Sequence, residues 1–504
     1  MTQPHSSGVT IPVCAGLLVH AIIMKTVLIH LLALVIFGLG VFAAFEQGRK
    51  LGAPQSAAVG VPPPPAAAAA LPGVEPSASL LANLKENLQD PLPLLFLQLI
   101  VIILAARLAG ALAVKIHQPA VIGEMIAGIL LGPSLLGWAA PAAFHFIFQP
   151  SSLGSLRLFS QLGVCLFMFV VGMELDLDKL KQQAKTAVLV SQMSILFPYL
   201  LGVIAALFLF TPLAGANTTF PVFALFIGIS MSITAFPVLA RILQERGLTR
   251  TPLGSTAIAC AATGDVAAWS ILAFVVAKAK AQGALAVAFT IALLTLFVLV
   301  MLLGVRPRLP QWIDYISHRS GTAGKGVMAA VLVFLFASAL ATDMMGIHAL
   351  FGAFLAGLVM PSRGELREFL QARLEHFSAV FLLPLFFAFT GLRTQVGLLD
   401  DTAGWLICLG LVVVATVGKL GGTMLTARLT GVNWLDSFAL GALMNTRGLV
   451  ELIALNTGYD LGILSPRIFT MLVIMALVTT CMTGPLLSLA DHLRARKSLV
   501  TRPA

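Results

Sequence analysis

Apolar residues in this chain come in blocks of about 20, the length a helix needs to cross the hydrocarbon of a bilayer. Strands of a membrane barrel would alternate in polarity over roughly ten residues, and these blocks do not. In hydrocarbon a helix satisfies its own backbone, so each block reads as a membrane helix. Thirteen spans are expected, over 92–115, 119–138, 156–176, 185–212, 220–244, 254–278, 284–305, 324–342, 346–362, 376–393, 404–429, 435–457 and 466–490. The predicted fold class is an all-α polytopic membrane protein.

A further apolar stretch, from about Ile11 to Phe45, precedes these spans. Within it, Met24-Lys25 opens a run resembling a signal peptide: one positive charge, an apolar core, then Ala43-Ala44. Pro62 to Pro65 and Ala66 to Ala70 mark a flexible or extended linker. The expected organisation is therefore a signal-like or anchor helix over 1–46, an external linker over 47–91, a transmembrane domain over 92–490 and a basic cytoplasmic tail over 491–504. So short a tail leaves no room for a nucleotide-binding regulatory domain, and gating is expected to come from the bundle.

Two features repeat along the spans. Ala127-Gly128 to Pro133-Ser134 in the second is echoed by Ala356-Gly357 to Pro361-Ser362 in the ninth, and Phe169 to Glu174 in the third by Ala388 to Arg393 in the tenth. Six spans, one connecting span and six more would give two inverted six-helix repeats. Such repeats ask for interrupted helices at matching places, and the fifth span of each half supplies one. Ser230 to Pro237, with Ser232 and Thr234 inside it, breaks 220–244, and Asn445-Thr446-Arg447-Gly448 breaks 435–457. Two crossing broken helices would aim half-helix dipoles at one point, a natural place for an ion. The bland alternative is a Pro kink in one helix and a tolerated Gly in the other.

Composition agrees with the pattern: 59% of residues are hydrophobic and only 10% charged, with a mean hydropathy of +0.98. The net charge of +10 would suggest nucleic acid in a water-soluble chain, but here the cations fall in short connections and report topology. Lys179, Lys181, Lys185, Arg246, Arg250, Arg306, Arg308, Arg319, Lys325, Arg363, Arg367, Arg373, Arg494, Arg496 and Lys497 share one side; Arg157, Lys278, Lys280, Arg393 and Arg467 hold the other. A plasma (bacterial inner) membrane location with a cytoplasmic C-terminus follows as the expectation. The five cysteines are scattered singly without metal-ligand or disulfide spacing. No G-x-x-x-x-G-K-[ST], H-E-x-x-H or G-x-S-x-G sequence occurs, so no enzyme activity, cofactor or resident metal is expected.

Charges inside the spans carry the candidate chemistry. Asp265 lies mid-span with no basic residue within a helical turn; an isolated carboxylate there is costly, and a proton and a cation could compete for its oxygens. A carboxyl kept only for packing is the alternative. Lys419 sits between glycines where its ammonium has little room to reach water, so it serves structural ion pairing or transport directly. Arg447 and Glu451, four residues apart, suit a structural or gating pair better than an ion ligand set. Glu124, Glu174, Asp176 and Asp178 read as solvated helix ends. Arg107 and His348 read as packing or helix-pair hydrogen-bonding residues.

Gln118-Pro119 to Gly132-Pro133-Ser134, Thr234-Ala235-Phe236-Pro237 to Leu243, Gly264-Asp265, Gly418-Lys419 and Asn445-Thr446-Arg447-Gly448 to Leu452 together resemble the second monovalent cation/proton antiporter family, which includes Kef-type and plant and fungal cation/H+ exchangers. The resemblance covers about residues 92–490. It implies thirteen spans, a mobile core beside a dimerising panel, elevator-like alternating access and a homodimer in the lipid bilayer. By position, Asp265 resembles the family's ion- and proton-carrying aspartate, Lys419 its embedded lysine, and Thr234 the unwound stretch that approaches the ion. The residue before the aspartate, often Asp or Asn and in some Kef-type members Gln, is here Gly264, which removes a side chain that Lys419 could pair with. The expected function is exchange of K+ or Na+ for H+; a gated cation channel or a non-transporting membrane sensor on the same scaffold are the alternatives.

Overall fold

The computed structural model describes residues 90–149, 152–174, 185–215, 218–249, 251–280, 284–319, 325–361 and 365–500. The expected N-terminal helix (1–46) and all but the last two residues of the linker (47–91) lie outside them. The transmembrane part starts with α1 (Pro91–Lys115), α2 (Ala120–Leu131), α3 (Leu153–Glu174) and α4 (Lys185–Leu213). Next come α5 (Phe220–Ser232), α6 (Phe236–Glu245), α7 (Pro252–Lys280) and α8 (Ala284–Leu299), the last continued through a π-helical turn into Arg306–Arg319. The second half holds α9 (Lys325–Met344), α10 (Ala349–Leu358), α11 (Glu365–Phe377), α12 (Leu383–Leu392), α13 (Thr402–Thr416), α14 (Gly422–Leu429), α15 (Trp434–Met444), α16 (Leu449–Asp460) and α17 (Pro466–Val500). No strand occurs among the described residues.

Among the described residues, eleven helical stretches are long and apolar enough to cross a membrane, twelve with the bent pair α15–α16 taken as one. The predicted ninth span, 346–362, falls short: its helix α10 has 10 residues, roughly 15 Å at 1.5 Å per residue, about half the hydrocarbon thickness. Gly346, with φ of +80°, turns the chain before it, so part of the apolar run is turn and not helix. Residues 491–500, within the expected basic tail, continue α17.

The two repeated motifs meet in space as reciprocal pairs. α2 packs along α12, and α10 along α3. Small residues allow it, since helices in lipid associate by close van der Waals approach. A Cβ on Gly391 would lie 2.0 Å from the Gly128 backbone, and one on Gly357 2.0 Å from the Phe169 carbonyl oxygen. Rigid backbone cannot yield as a side chain can, so Gly391→Ala is expected to destabilise the bundle by more than the ~1–3 kcal/mol of ordinary overpacking. Gly410→Ala, with no heavy atom within 4 Å of the added carbon, is the matched control. Thermal midpoints in detergent check this: equal midpoints for the two variants would refute the packing account.

Candidate ion site at the helix crossing

The site begins with two interruptions. α5 ends at Ser232 and α6 starts at Phe236, with Ile233 and Ala235 in extended conformation between them. Pro237 occupies the first turn of α6, where its missing N–H is not needed and its ring opposes continuous helix from α5. The second interruption separates Met444 from Leu449, with a bend of 43°. Gly448 lies at this break because a Cβ would meet Val238 of α6 at 2.9 Å.

The two unwound stretches are joined directly. The Ala235 amide donates to the Thr446 carbonyl at 3.0 Å, and the Thr234 hydroxyl to the Met444 carbonyl at 3.1 Å. Thr480 of α17 braces the second stretch, accepting from the Arg447 amide at 3.0 Å and donating to the Arg447 carbonyl at 2.9 Å. Unwound backbone deep in a bundle needs such partners, because no water or lipid group can replace them. Thr480 was missed by sequence reasoning; its only signal is a cluster of threonines (479, 480 and 483) in an otherwise apolar span.

The last turn of α5 leaves carbonyls without helical partners and carries the negative end of the helix dipole. Both embedded cations are aimed at it. Arg447 donates to the Ser230 and Met231 carbonyls at 2.5 and 2.7 Å. Lys419 donates to the Ser232 carbonyl and, at 2.9 Å, to the Ser194 carbonyl of α4. Its π-helical turn, Val417–Gly421, joins α13 to α14 and packs Gly418 against Pro198. Lys419 therefore rests on backbone carbonyls and not on the carboxylate that an embedded ion pair would supply. Arg447 does reach Glu451, at 3.1 Å with both side chains wholly buried, across the start of α16.

Asp265 is wholly buried in the middle of α7. Neither of its carboxylate oxygens accepts a hydrogen bond of normal geometry; the groups that act on it electrostatically are Lys419 and the Phe236 amide at the start of α6. That amide is the positive end of a half-helix, a fitting neighbour for negative charge. Beside it, Gly264 leaves room, with Ile195 and Ser191 nearest to an added Cβ at 3.9 Å. The Asn445 amide is also buried with both polar atoms unpaired. Ser232 uses its own hydroxyl on the Gly228 carbonyl at 2.7 Å and the Ile195 carbonyl at 3.1 Å.

A cavity of about 530 Å³ reaches this crossing from one end of the bundle, with Pro237, Val238 and Leu449 among its lining residues. These belong to the N-terminal turns of α6 and α16. The cavity walls also carry Glu124, Glu174, Glu245, Glu375, Arg107, Arg241 and His376. Glu124, read from sequence as a solvated helix end, is 8% exposed. α2 is covered by α1 and α12, so the carboxyl meets water only through the cavity.

A bundle of membrane helices in which two interrupted helices cross beside a buried carboxylate, with a water-sized route to one side, belongs to the class of secondary ion transporters. Sequence comparison makes the class particular. Residues 100–490 match the family model described as sodium/hydrogen exchanger, transmembrane, and the chain belongs to that family. It is 43% identical over 404 residues to the Na(+)/H(+) antiporter NhaS4 of Synechocystis, covering 79% of this chain and 97% of that one. It is 38% identical over 400 residues to Cation/H(+) antiporter 17 of Arabidopsis thaliana and 34% identical over 426 residues to K(+)/H(+) antiporter 1 of Saccharomyces cerevisiae. The chain spans about half the length of these two relatives (48% and 49%). The solved sodium proton antiporter MjNhaP1 of Methanocaldococcus jannaschii shares the fold, with a TM-score of 0.57 at 16% identity over 77% of this chain and 94% of that one.

Proposed function

We propose that the protein exchanges one monovalent cation for one proton, with Asp265 as the group that carries either. Monovalent cation/proton antiport fits its family, and the relatives' names include both Na+ and K+ exchange. The observation that carries the site reading is the Asp265 carboxylate: two buried oxygens without hydrogen bonds, at the crossing of two broken helices. Such a group satisfies itself by taking up a proton or a cation, and alternate loading is what coupling requires. Thr234 and the unwound carbonyls complete the ion's shell. Lys419 and Arg447 hold fixed positive charge on the end of α5, and Glu451 keeps Arg447 in place.

In this reading the bundle is built from two inverted repeats, and α10 with its flanking turns completes a thirteenth crossing. The protein works as a homodimer in a plasma (bacterial inner) membrane by elevator-like alternating access, with its C-terminus cytoplasmic. The cavity walled by Glu124 and Glu375 then opens to the cytoplasm. It needs no cofactor and catalyses no covalent step.

Purified protein in sealed vesicles tests both the coupling and its stoichiometry. An imposed pH gradient is expected to drive K+ or Na+ uphill, which a channel or a sensor would not do. In this reading Lys419 stays on its two backbone carbonyls and one carboxylate sets the count. A membrane potential alone is then expected to move no protons in the presence of the cation. A cation-dependent pH change driven by voltage would overturn the one-to-one exchange and assign Lys419 a second proton.

A further inference from the structure

We infer a binding site for an anionic phospholipid in the groove between α7 and α8, its headgroup phosphate on Lys278 and an acyl chain in the groove. Three observations on separate parts of the molecule converge there. The groove holds about 320 Å³ and is lined by Phe274 and Ala277 of α7, Leu294 and Val298 of α8, and Ile347 and Phe351 at the start of α10. Two of its three hydroxyls are used within their own helices, Ser270 on the Val266 carbonyl at 2.8 Å and Thr295 on the Ile291 carbonyl at 2.8 Å. The groove therefore asks for hydrocarbon. The span that includes α8 is only 6% buried, so this wall lies open to the bilayer, where acyl chains are the available hydrocarbon.

The charge comes from the end of the same stripe. Lys278 follows Phe274 by four residues, one helical turn further along the groove-lining face. It is exposed and has no ion pair among the described residues. Its companions on that side of the bundle behave differently: Arg157 and Arg393 reach Asp460 at 3.2 and 2.7 Å, and Arg467 reaches Asp401. These three arginines are thus paired with carboxylates, while Lys278 stands near the end of its span, beyond the apolar slot. A phosphate whose tail fills the slot satisfies both. Asp265 lies thirteen residues back along α7, roughly 20 Å at 1.5 Å per residue, so a lipid held here bears on the helix that carries the transport carboxylate.

The inference rests on the membrane location of these helices and not on the antiport reading, so a binding readout keeps the two separate. The full chain is purified in detergent, and its thermal midpoint is followed while phosphatidylglycerol, phosphatidylcholine or soluble glycerol phosphate is added. Ligand that binds the folded state raises the midpoint. Phosphatidylglycerol is expected to raise it at least roughly twofold more than phosphatidylcholine, and glycerol phosphate to leave it unchanged. Lys278→Gln, at an exposed position, is expected to reduce the phosphatidylglycerol effect to that of phosphatidylcholine. Ala277→Phe, which fills the slot, is expected to remove the effect of both lipids. An undiminished phosphatidylglycerol effect in Lys278→Gln overturns the headgroup contact, and this arm decides alone if Ala277→Phe does not fold. A folded Ala277→Phe protein that keeps the full effect overturns the acyl slot, and an equal rise with glycerol phosphate overturns a lipid altogether.

Discussion

Asp265→Asn is expected to bring cation-dependent proton movement in vesicles down to the level of protein-free membranes while the folded protein survives. Asparagine keeps the volume of the side chain and gives up only its ability to exchange a proton or to balance a cation. Stability argues the same way. A buried carboxylate whose oxygens accept no hydrogen bond of normal geometry is a net burden on the fold, because Lys419 and the start of α6 offset only part of its desolvation. The thermal midpoint of the Asn variant should therefore equal or exceed that of the parent. Residual coupled exchange in a well-folded variant would move the carrier elsewhere; a large fall in midpoint would make Asp265 a structural residue.

Lys419→Ala is expected to act in the opposite order, on the fold first. The ammonium donates to the Ser194 and Ser232 carbonyls, and alanine leaves both acceptors buried without a donor and opens a hole where the stem lay. Removing one member of a buried charged network is typically worth about 3–5 kcal/mol, a large share of the stability of any domain. Thermal unfolding in detergent, read beside transport in vesicles, separates the roles. A variant with the parent's midpoint and no exchange would give Lys419 a direct part in coupling.

The break positions were legible because a single residue type forces each one. Pro237 cannot continue α5, and Gly448 stands where a Cβ would collide with Val238. The pairing of Arg447 with Glu451 was legible as an i, i+4 spacing. What Lys419 touches was not, since its partners are backbone carbonyls 225 and 187 residues away and every residue has a carbonyl. The depth of Glu124 was hidden for a related reason: a position near a helix end says nothing about which neighbours enclose it. Hydropathy also could not separate helix from turn in the ninth span, because an apolar turn and an apolar helix look alike along the chain and only Gly346 and Pro361 mark the ends of α10.

The capping of α5 also sets a timetable for biosynthesis. Ser230 receives its donor from Arg447, 217 residues later in the chain, and a ribosome adding about 5–20 residues per second needs roughly 10 to 40 s to reach it. Throughout that interval the half-made bundle holds bare carbonyls in the membrane, with no second half yet present to quench them. The helix crossing is in this sense a seam left open during manufacture and sealed only when the second unwound stretch has been made.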